Sequence, residues 1–200
     1  FDNYNFHNLY KELLNFCTVD LSAFYFDIRK DALYCDDINS EKRKGCIKIL
    51  NILLDCLLKW FAPILSFTTE EIYSLINKNN KDSIHLKKFI KTPENWQNKK
   101  LNEKWEKLKR IRDIANISIE SKRAEKLIGS SLESNIKIKL DKDLYNIAKD
   151  FDFAELCITS AAEVTFDNAG EEIIVETSKA EGNKCNVCWK ISKSKCERHG

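Results

Sequence analysis

Between Glu41 and Phe61 apolar residues occupy nearly every side of what would be one helix. Cys46, Ile49, Leu50, Leu53, Leu57, Trp60 and Phe61 share a face, and Ile47, Leu54 and Leu58 widen it. Only Lys44, Lys48, Asn51, Asp55 and Lys59 keep a narrow polar stripe. A helix patterned this way needs cover on most sides, so it predicts the spine of a helical bundle. Ser40 is placed to cap the first turn, with Glu41 beside its positive end. Pro63 ends or kinks the helix, because proline offers no amide donor and its ring clashes with the preceding turn. The run ILNILLDCLLKWFAPIL is interrupted by Asp55, Lys59 and Pro63 and falls short of the roughly 20 apolar residues a membrane span needs. It predicts no transmembrane helix.

The flanking segments are helical as well. From about Asn5 to Tyr34, Leu9, Leu13 and Phe16, then Leu21, Phe24 and Ile28, recur at helical spacing and predict one or two helices with a break near Thr18. SFTTEEIYSLI predicts a fresh helix capped by Thr68 or Thr69, with Glu70 and Glu71 near its positive end. NKNNKDS is a loop, and KKFIKTPENWQNKK, with Pro93 and no sustained period, is a connector. From about Leu101 a long helix carries Leu101, Trp105, Leu108, Ile111, Ala115 and Ile119 on one stripe and stops near Gly129. Then the texture changes. NIKIKL alternates as a half-buried strand does, LYNIAK suits a short helix, and AELCITSAAEVTF and EEIIVETS are strand candidates around a turn at DNAG. The expected fold class is therefore mainly α: a helical bundle over 1–92, a long helix with a small α+β unit over 93–180, and a separate terminal segment over 181–200.

At 200 residues the chain can bury one good core and a smaller satellite. Its 43% hydrophobic and 32% charged residues suit a water-soluble globular protein. A net charge of +2 does not advertise nucleic-acid binding, so any basic surface has to be local. The absence of Met and the opening FDNYNFHNLY lead us to expect a piece of a longer protein, with no secretory signal in this stretch. Five of the eight cysteines, Cys17, Cys35, Cys46, Cys56 and Cys157, are scattered among apolar neighbours, which suits unpaired thiols in a reducing cytoplasm.

The other three crowd the end, in KCNVCWKISKSKCERHG. Cys185 and Cys188 form a C-x2-C pair, and after seven intervening residues Cys196 and His199 form C-x2-H. Zinc takes four such donors at tetrahedral corners, and two short-spaced pairs supply them at little entropic cost. A closed set of four makes the metal structural, with no open position for water. The alternatives are a charged tail with free thiols and, for Lys190–Ser194 (KISKS), a likeness to the KMSKS phosphate loop of one class of aminoacyl-tRNA synthetases. That loop needs a nucleotide-binding domain ahead of it, and no HIGH-like sequence occurs among these residues.

YNFHNLYKELLNFCTVDLSAFYFDIRKDALYCD, KWFAPILSFTTEEIY, RAEKLIGSSLE and KAEGNKCNVCWK resemble, in order and approximate spacing, the C-terminal part of bacterial-type isoleucyl-tRNA synthetases, and the resemblance covers nearly the whole chain. It implies a helical anticodon-binding domain of the kind shared with valyl and leucyl relatives, followed by the small α+β unit and a zinc knuckle. In that family an upstream domain makes isoleucyl-adenylate from isoleucine and ATP, and an inserted domain edits valyl products, because one missing methylene gives only about 1–3 kcal/mol of discrimination. The implied activity of the whole enzyme is isoleucine–tRNA ligation by a cytoplasmic monomer. The implied role of this part is to hold tRNA(Ile) by its anticodon, without catalysing. Relatives usually carry two C-x2-C pairs with a longer spacer, so the short loop and His199 in place of a fourth cysteine are departures. A stand-alone zinc module that binds nucleic acid or protein, with a knuckle like that of formamidopyrimidine-type DNA glycosylases, and the matching region of a valyl or leucyl enzyme stay open as alternatives.

For RNA contact the candidates are Arg29 and Lys30, near Tyr25 and Tyr34, Arg110, Arg112 and Arg123 on the long helix, and Trp189 beside the knuckle. Guanidinium and ammonium groups track phosphates, and aromatic rings stack on unpaired bases. A solvated face interleaved with Glu103, Glu106 and Glu120 explains the helix charges equally well, and Trp189 is also suited to packing on the metal site. His7 and His85 have no acid–base partner in sight, and no nucleophile–base constellation appears.

Overall fold

The computed structural model describes residues 3–78, 82–167 and 173–199. The chain divides into two compact units, residues 1–96 and 97–200.

In the first unit α1 (Phe6–Asn15) runs into a π-helical segment (Phe16–Phe26) and then α2 (Asp27–Cys35). The expected break near Thr18 is not a break. The Thr18 hydroxyl donates to the carbonyls of Leu14 (2.9 Å) and Asn15 (3.3 Å), and the helix widens there instead of stopping. The spine, α3 (Glu41–Phe61), starts at Ser40, whose hydroxyl accepts the Arg43 amide, and stops just ahead of Pro63. After four intervening residues α4 (Ser66–Ile76) begins. Neither Thr68 nor Thr69 caps it: the chain re-enters the helix directly from Leu65, and Thr69 lies buried inside, its hydroxyl turned back to the Leu65 carbonyl at 3.0 Å.

Leu58 and Ala62 meet Tyr73 of α4 and Ile84 of a 3-10 turn (Ile84–Leu86) in the core of this unit. That turn is held by Glu70, whose carboxylate accepts from the Ser83 hydroxyl (2.7 Å) and the Ile84 amide (3.0 Å), a role distinct from the expected one at a helix start. The spine is less covered than its pattern predicts. Cys46, Cys56 and Leu58 are buried, whereas Ile47, Ile49, Ile52 and Leu54 each expose more than a third of their surface. Within this unit α3 packs against α2, α4 and the 3-10 turn, and the Tyr10 ring of α1 stands edge-on to Phe61.

The second unit is a three-stranded sheet under a long helix. α5 (Lys99–Ala124) buries Leu108, Ile111, Ala115 and Ile119, while Leu101 stays exposed. It ends five residues before Gly129 because Lys126 takes the left-handed conformation (φ 59°) that terminates a helix, with Lys126 and Leu127 amides donating to Arg123 and Lys122 carbonyls. β1 (Ser134–Leu140) is central, parallel to β2 (Ala161–Phe166) and antiparallel to β3 (Ile173–Lys179). Ile136, Ile138 and Leu140, opposite Thr177, Val175 and Ile173, form the buried face. The Ser118 hydroxyl of α5 joins it by donating to the Val175 carbonyl (3.2 Å) and pairing with Thr177 Oγ1 (2.7 Å). α6 (Lys142–Ala148) is the expected short helix, capped by Asp141. AELCITSAAEVTF begins not as strand but within a single helical turn, α7 (Phe153–Leu156), because Asp152 caps it, and strand starts only at Ala161. The turn expected at DNAG lies outside the described residues from position 168 on. Among the described residues no helix is long and apolar enough to cross a membrane.

Ile138 is fully buried at the centre of the sheet, so Ile138→Ala is expected to lower unfolding free energy by about 2–5 kcal/mol. The exposed Ile117→Ala should stay within about 0.5 kcal/mol. Urea unfolding followed by circular dichroism checks both; equal effects would contradict the sheet core described here.

Candidate metal centre

Residues 182–199 contain hardly any core, yet they fold tightly. β4 (Asn183–Lys184) and β5 (Ile191–Ser192) pair antiparallel, Asn183 with Ser192 and Lys184 with Ile191. Gly182 makes the approach possible: its φ is +129°, and a Cβ there would lie 2.2 Å from the Ser192 carbonyl oxygen. Between the strands the Cys185 amide donates to the Lys190 carbonyl (2.9 Å) and the Trp189 amide to the Cys185 carbonyl (3.1 Å). This ties the first C-x2-C pair into a turn whose next residue, Trp189, sits at φ 64°. A bulky side chain in that region costs roughly 1–2 kcal/mol. A second turn, closed by the His199 amide on the Cys196 carbonyl at 3.3 Å, carries the other pair.

The four predicted ligands converge. The ligand atoms of Cys185, Cys188, Cys196 and His199 all lie within 4.8 Å of one another. Cys188 and Cys196 sulfurs are 3.8 Å apart, and His199 Nδ1 is 3.5 Å from Cys185 Sγ and 3.3 Å from Cys196 Sγ. A tetrahedral ion about 2.3 Å from sulfur and about 2.0–2.1 Å from nitrogen has edges of about 3.8 Å between two sulfurs and about 3.5 Å between sulfur and nitrogen. The donor types and spacings both suit zinc, and the short spacer does not prevent closure.

The surroundings prepare the sulfurs unequally. Cys185 is lowered to about 6, chiefly because the amides of Cys188 and Val187 point at its sulfur; the Val187 N–H lies 3.4 Å away. Cys196 is lowered by the amides of Arg198 and His199. Cys188 is raised by burial. Far from this cluster in chemistry, Cys157 is pushed up to about 12 by burial beneath the sheet unit.

The knuckle is fastened to the sheet by one residue that gave no sequence signal. The Ser160 hydroxyl accepts from the Ile191 amide (2.7 Å) and donates to the Leu132 carbonyl. Its partners lie 31 and 28 residues away. Ile191 and Ser192 of the KISKS stretch form a strand of this hairpin, between the two ligand pairs.

The RNA candidates lie in different settings. In the first unit Lys30 pairs with Asp27 at 2.9 Å, Arg29 is its neighbour on α2, Tyr34 is exposed and Tyr25 half-buried. In the second, Arg123 pairs with Glu120 at 2.7 Å, Arg110 is exposed, and Arg112 donates through Nε to the Leu156 carbonyl at 2.9 Å. Trp189 is 58% exposed, with Lys184 Nζ 5.3 Å from its ring centroid. Lys184 was not singled out in the sequence; pairing with Ile191 in the hairpin register brings it beside Trp189.

Comparison with known proteins gives a consistent set of likenesses. The family described as anticodon-binding domain of tRNA ligase matches residues 1–140. A protein of Pelagibacter ubique (strain HTCC1062) named isoleucine–tRNA ligase is 66% identical over 199 residues, covering 100% of this chain and 22% of the relative. Proteins of the same name from Agrobacterium fabrum and Mesorhizobium japonicum are 41% and 40% identical, each over 96% of this chain and 21% and 20% of their own length. The chain thus spans about a fifth of the curated relatives it matches.

In metal-free chain at pH 7, alkylation followed by mass spectrometry is expected to label Cys185, Cys188 and Cys196 before Cys157, whose thiol is held up by burial. Added zinc should protect Cys185, Cys188 and Cys196 together, and His199→Ala should weaken zinc binding on the order of a hundredfold. Labelling of the three cysteines unaffected by zinc would rule the centre out.

Proposed function

The chain belongs to the family of anticodon-binding domains of tRNA ligases, and we propose that it is the tRNA-holding C-terminal part of an isoleucine–tRNA ligase. The observation that carries this is the alignment of 199 residues, end to end, with a fifth of a ligase of that name at 66% identity. On this reading the partner is tRNA(Ile), held at its anticodon. Activation of isoleucine with ATP and transfer to the tRNA belong to the remainder of the ligase, which works as a cytoplasmic monomer.

The division of labour follows from the residues. In the helical unit, Arg29, Lys30 and the exposed ring of Tyr34 offer phosphate contacts and a stacking surface on one helix and its end. In the terminal unit, Cys185, Cys188, Cys196 and His199 hold zinc in a closed, structural set that supplies folding free energy and no reactive water. What the knuckle then presents is Trp189. A tryptophan kept in a conformation that favours glycine, half exposed, with an ammonium group near its ring, suits stacking on an unpaired base while Lys184 meets the adjoining phosphate. Arg110 adds charge along α5, Arg123 is tied to Glu120 at 2.7 Å, and Arg112 acts through its bond to the Leu156 carbonyl, holding α7 and orienting that face of the helix.

Fluorescence anisotropy with zinc-loaded chain tests this. Binding should favour an isoleucine tRNA over a valine tRNA, and exchanging the two anticodons should carry the preference with them. Trp189→Ala should cost about 1–3 kcal/mol of affinity while zinc content stays at one equivalent per chain. Equal affinity for all four RNAs at every salt concentration would leave only generic phosphate attraction and remove anticodon recognition.

A further inference from the structure

We propose that a second, separate RNA site lies where α5 ends: a cavity of about 550 Å³ in which Lys126 and Lys179 receive a phosphodiester group of the bound strand. The two lysines are 53 positions apart in sequence and meet through the topology. Lys126 is placed by the helix stop, its left-handed backbone turning the chain into the 129–133 segment. Lys179 ends β3, opposite Ser134 at the start of β1, and the next amide, Ala180, donates to the Glu133 carbonyl at 2.7 Å. The turn after α5 and the end of β3 are therefore walls of one recess.

Charge decides what this recess takes. Every other charged group lining it is already engaged: Arg123 with Glu120 at 2.7 Å, and the Glu133 carboxylate with the Gly129 amide at 2.8 Å. Nearby Lys122 pairs with Glu125 at 2.8 Å. Among the described residues neither Lys126 nor Lys179 pairs with a carboxylate. The Glu133 carboxylate keeps its charge, since its partner is a neutral amide, but two ammonium groups outweigh it and leave the lining with an excess positive charge that favours an anion, and a point charge on a flexible stem suits a phosphate oxygen. A non-glycine residue held at positive φ is also a conformation that a chain selected for stability alone would replace by glycine. The chain's small net charge of +2 makes such local excess the way it can bind a polyanion.

This inference rests on the tRNA-binding role proposed above, and the test separates the two. Binding of isoleucine tRNA to the zinc-loaded 200-residue chain is measured across a salt series for wild type, Lys126→Gln/Lys179→Gln, Lys126→Arg/Lys179→Arg, and Lys99→Gln/Lys100→Gln, which removes the same charge from the start of α5. The recess variant should bind on the order of tenfold more weakly and lose roughly 0.7–0.9, the share of one phosphate contact, from the slope of log affinity against log salt. The arginine pair should keep the wild-type slope, and the Lys99/Lys100 pair should change it by less than half as much. Equal slopes for the two glutamine variants, or loss in the arginine pair despite an unchanged thermal melt, would overturn the site while leaving tRNA binding intact. Displacement of inorganic phosphate from these lysines with no change in RNA affinity would assign the recess to free phosphate and overturn the RNA assignment. Failure of the wild type to bind tRNA at all would instead remove the role on which the site depends.

Discussion

The second unit is organised by the first residue of its central strand. Ser134 is completely buried, its hydroxyl donates to the Ser131 carbonyl at 2.7 Å, and its own carbonyl accepts the Ser160 amide at 2.9 Å. A buried hydroxyl and carbonyl left without partners would cost about 1–3 kcal/mol each, so these bonds are close to obligatory. Satisfying them brings the turn after α5, the start of β2 and the end of β3 to one point. Ser160, delivered there by its amide, then reaches the knuckle with its hydroxyl. One strand end thus sets the position of the metal centre and of the recess at Lys126 and Lys179.

A metal held by Cys185, Cys188, Cys196 and His199 would replace a core that their segment lacks. Between Gly182 and His199 only Cys188 is buried, and the hairpin has two residues per strand, far below what stands alone in water. About 10–16 kcal/mol from structural zinc in small peptides is the scale of free energy needed to order such a segment. It also exceeds the cost of holding Trp189 at positive φ, so the strained residue and the four donors belong together.

Much of this was legible in residue spacing. The ligand set needed only two short-spaced pairs, because chemistry that depends on four donors within fifteen residues leaves a local trace. The spine helix, its Ser40 cap and the alternation of NIKIKL were local signals too, and each became the expected element. The failures share a different cause. Thr69 looked like a cap and is interior, because the Pro63 turn is so tight that helix resumes at Ser66. Lys126 ended α5 although Gly129 was the residue that favours the left-handed conformation. Glu70, Ser160 and Lys179 act on partners 13 or more residues away, and nothing in a window of sequence records such a partner. The apolar breadth of α3 did appear in the sequence, but the pattern states how much cover a helix wants and not how much its own unit supplies.

The same distinction bears on how a chain with so little net charge can hold a polyanion. Of the basic groups on α5, Lys122 and Arg123 are paired three residues away with Glu125 and Glu120, as is Lys109 with Glu106 at 3.8 Å. Exposed pairs of this kind contribute little to stability, about 0–1 kcal/mol, and little to a distant phosphate, since each presents no net charge. Counting lysines and arginines along the helix therefore overstates its attraction for RNA. What is left is positional: cations whose carboxylate neighbours are absent or occupied elsewhere, set beside a ring or a hollow that orients the strand. Lys184 against Trp189 meets that condition through the turn of the hairpin, and Lys126 with Lys179 through the helix stop beside the end of β3. In a nearly neutral protein, recognition of nucleic acid has to be built by placing a few charges well, and the fold is the instrument that places them.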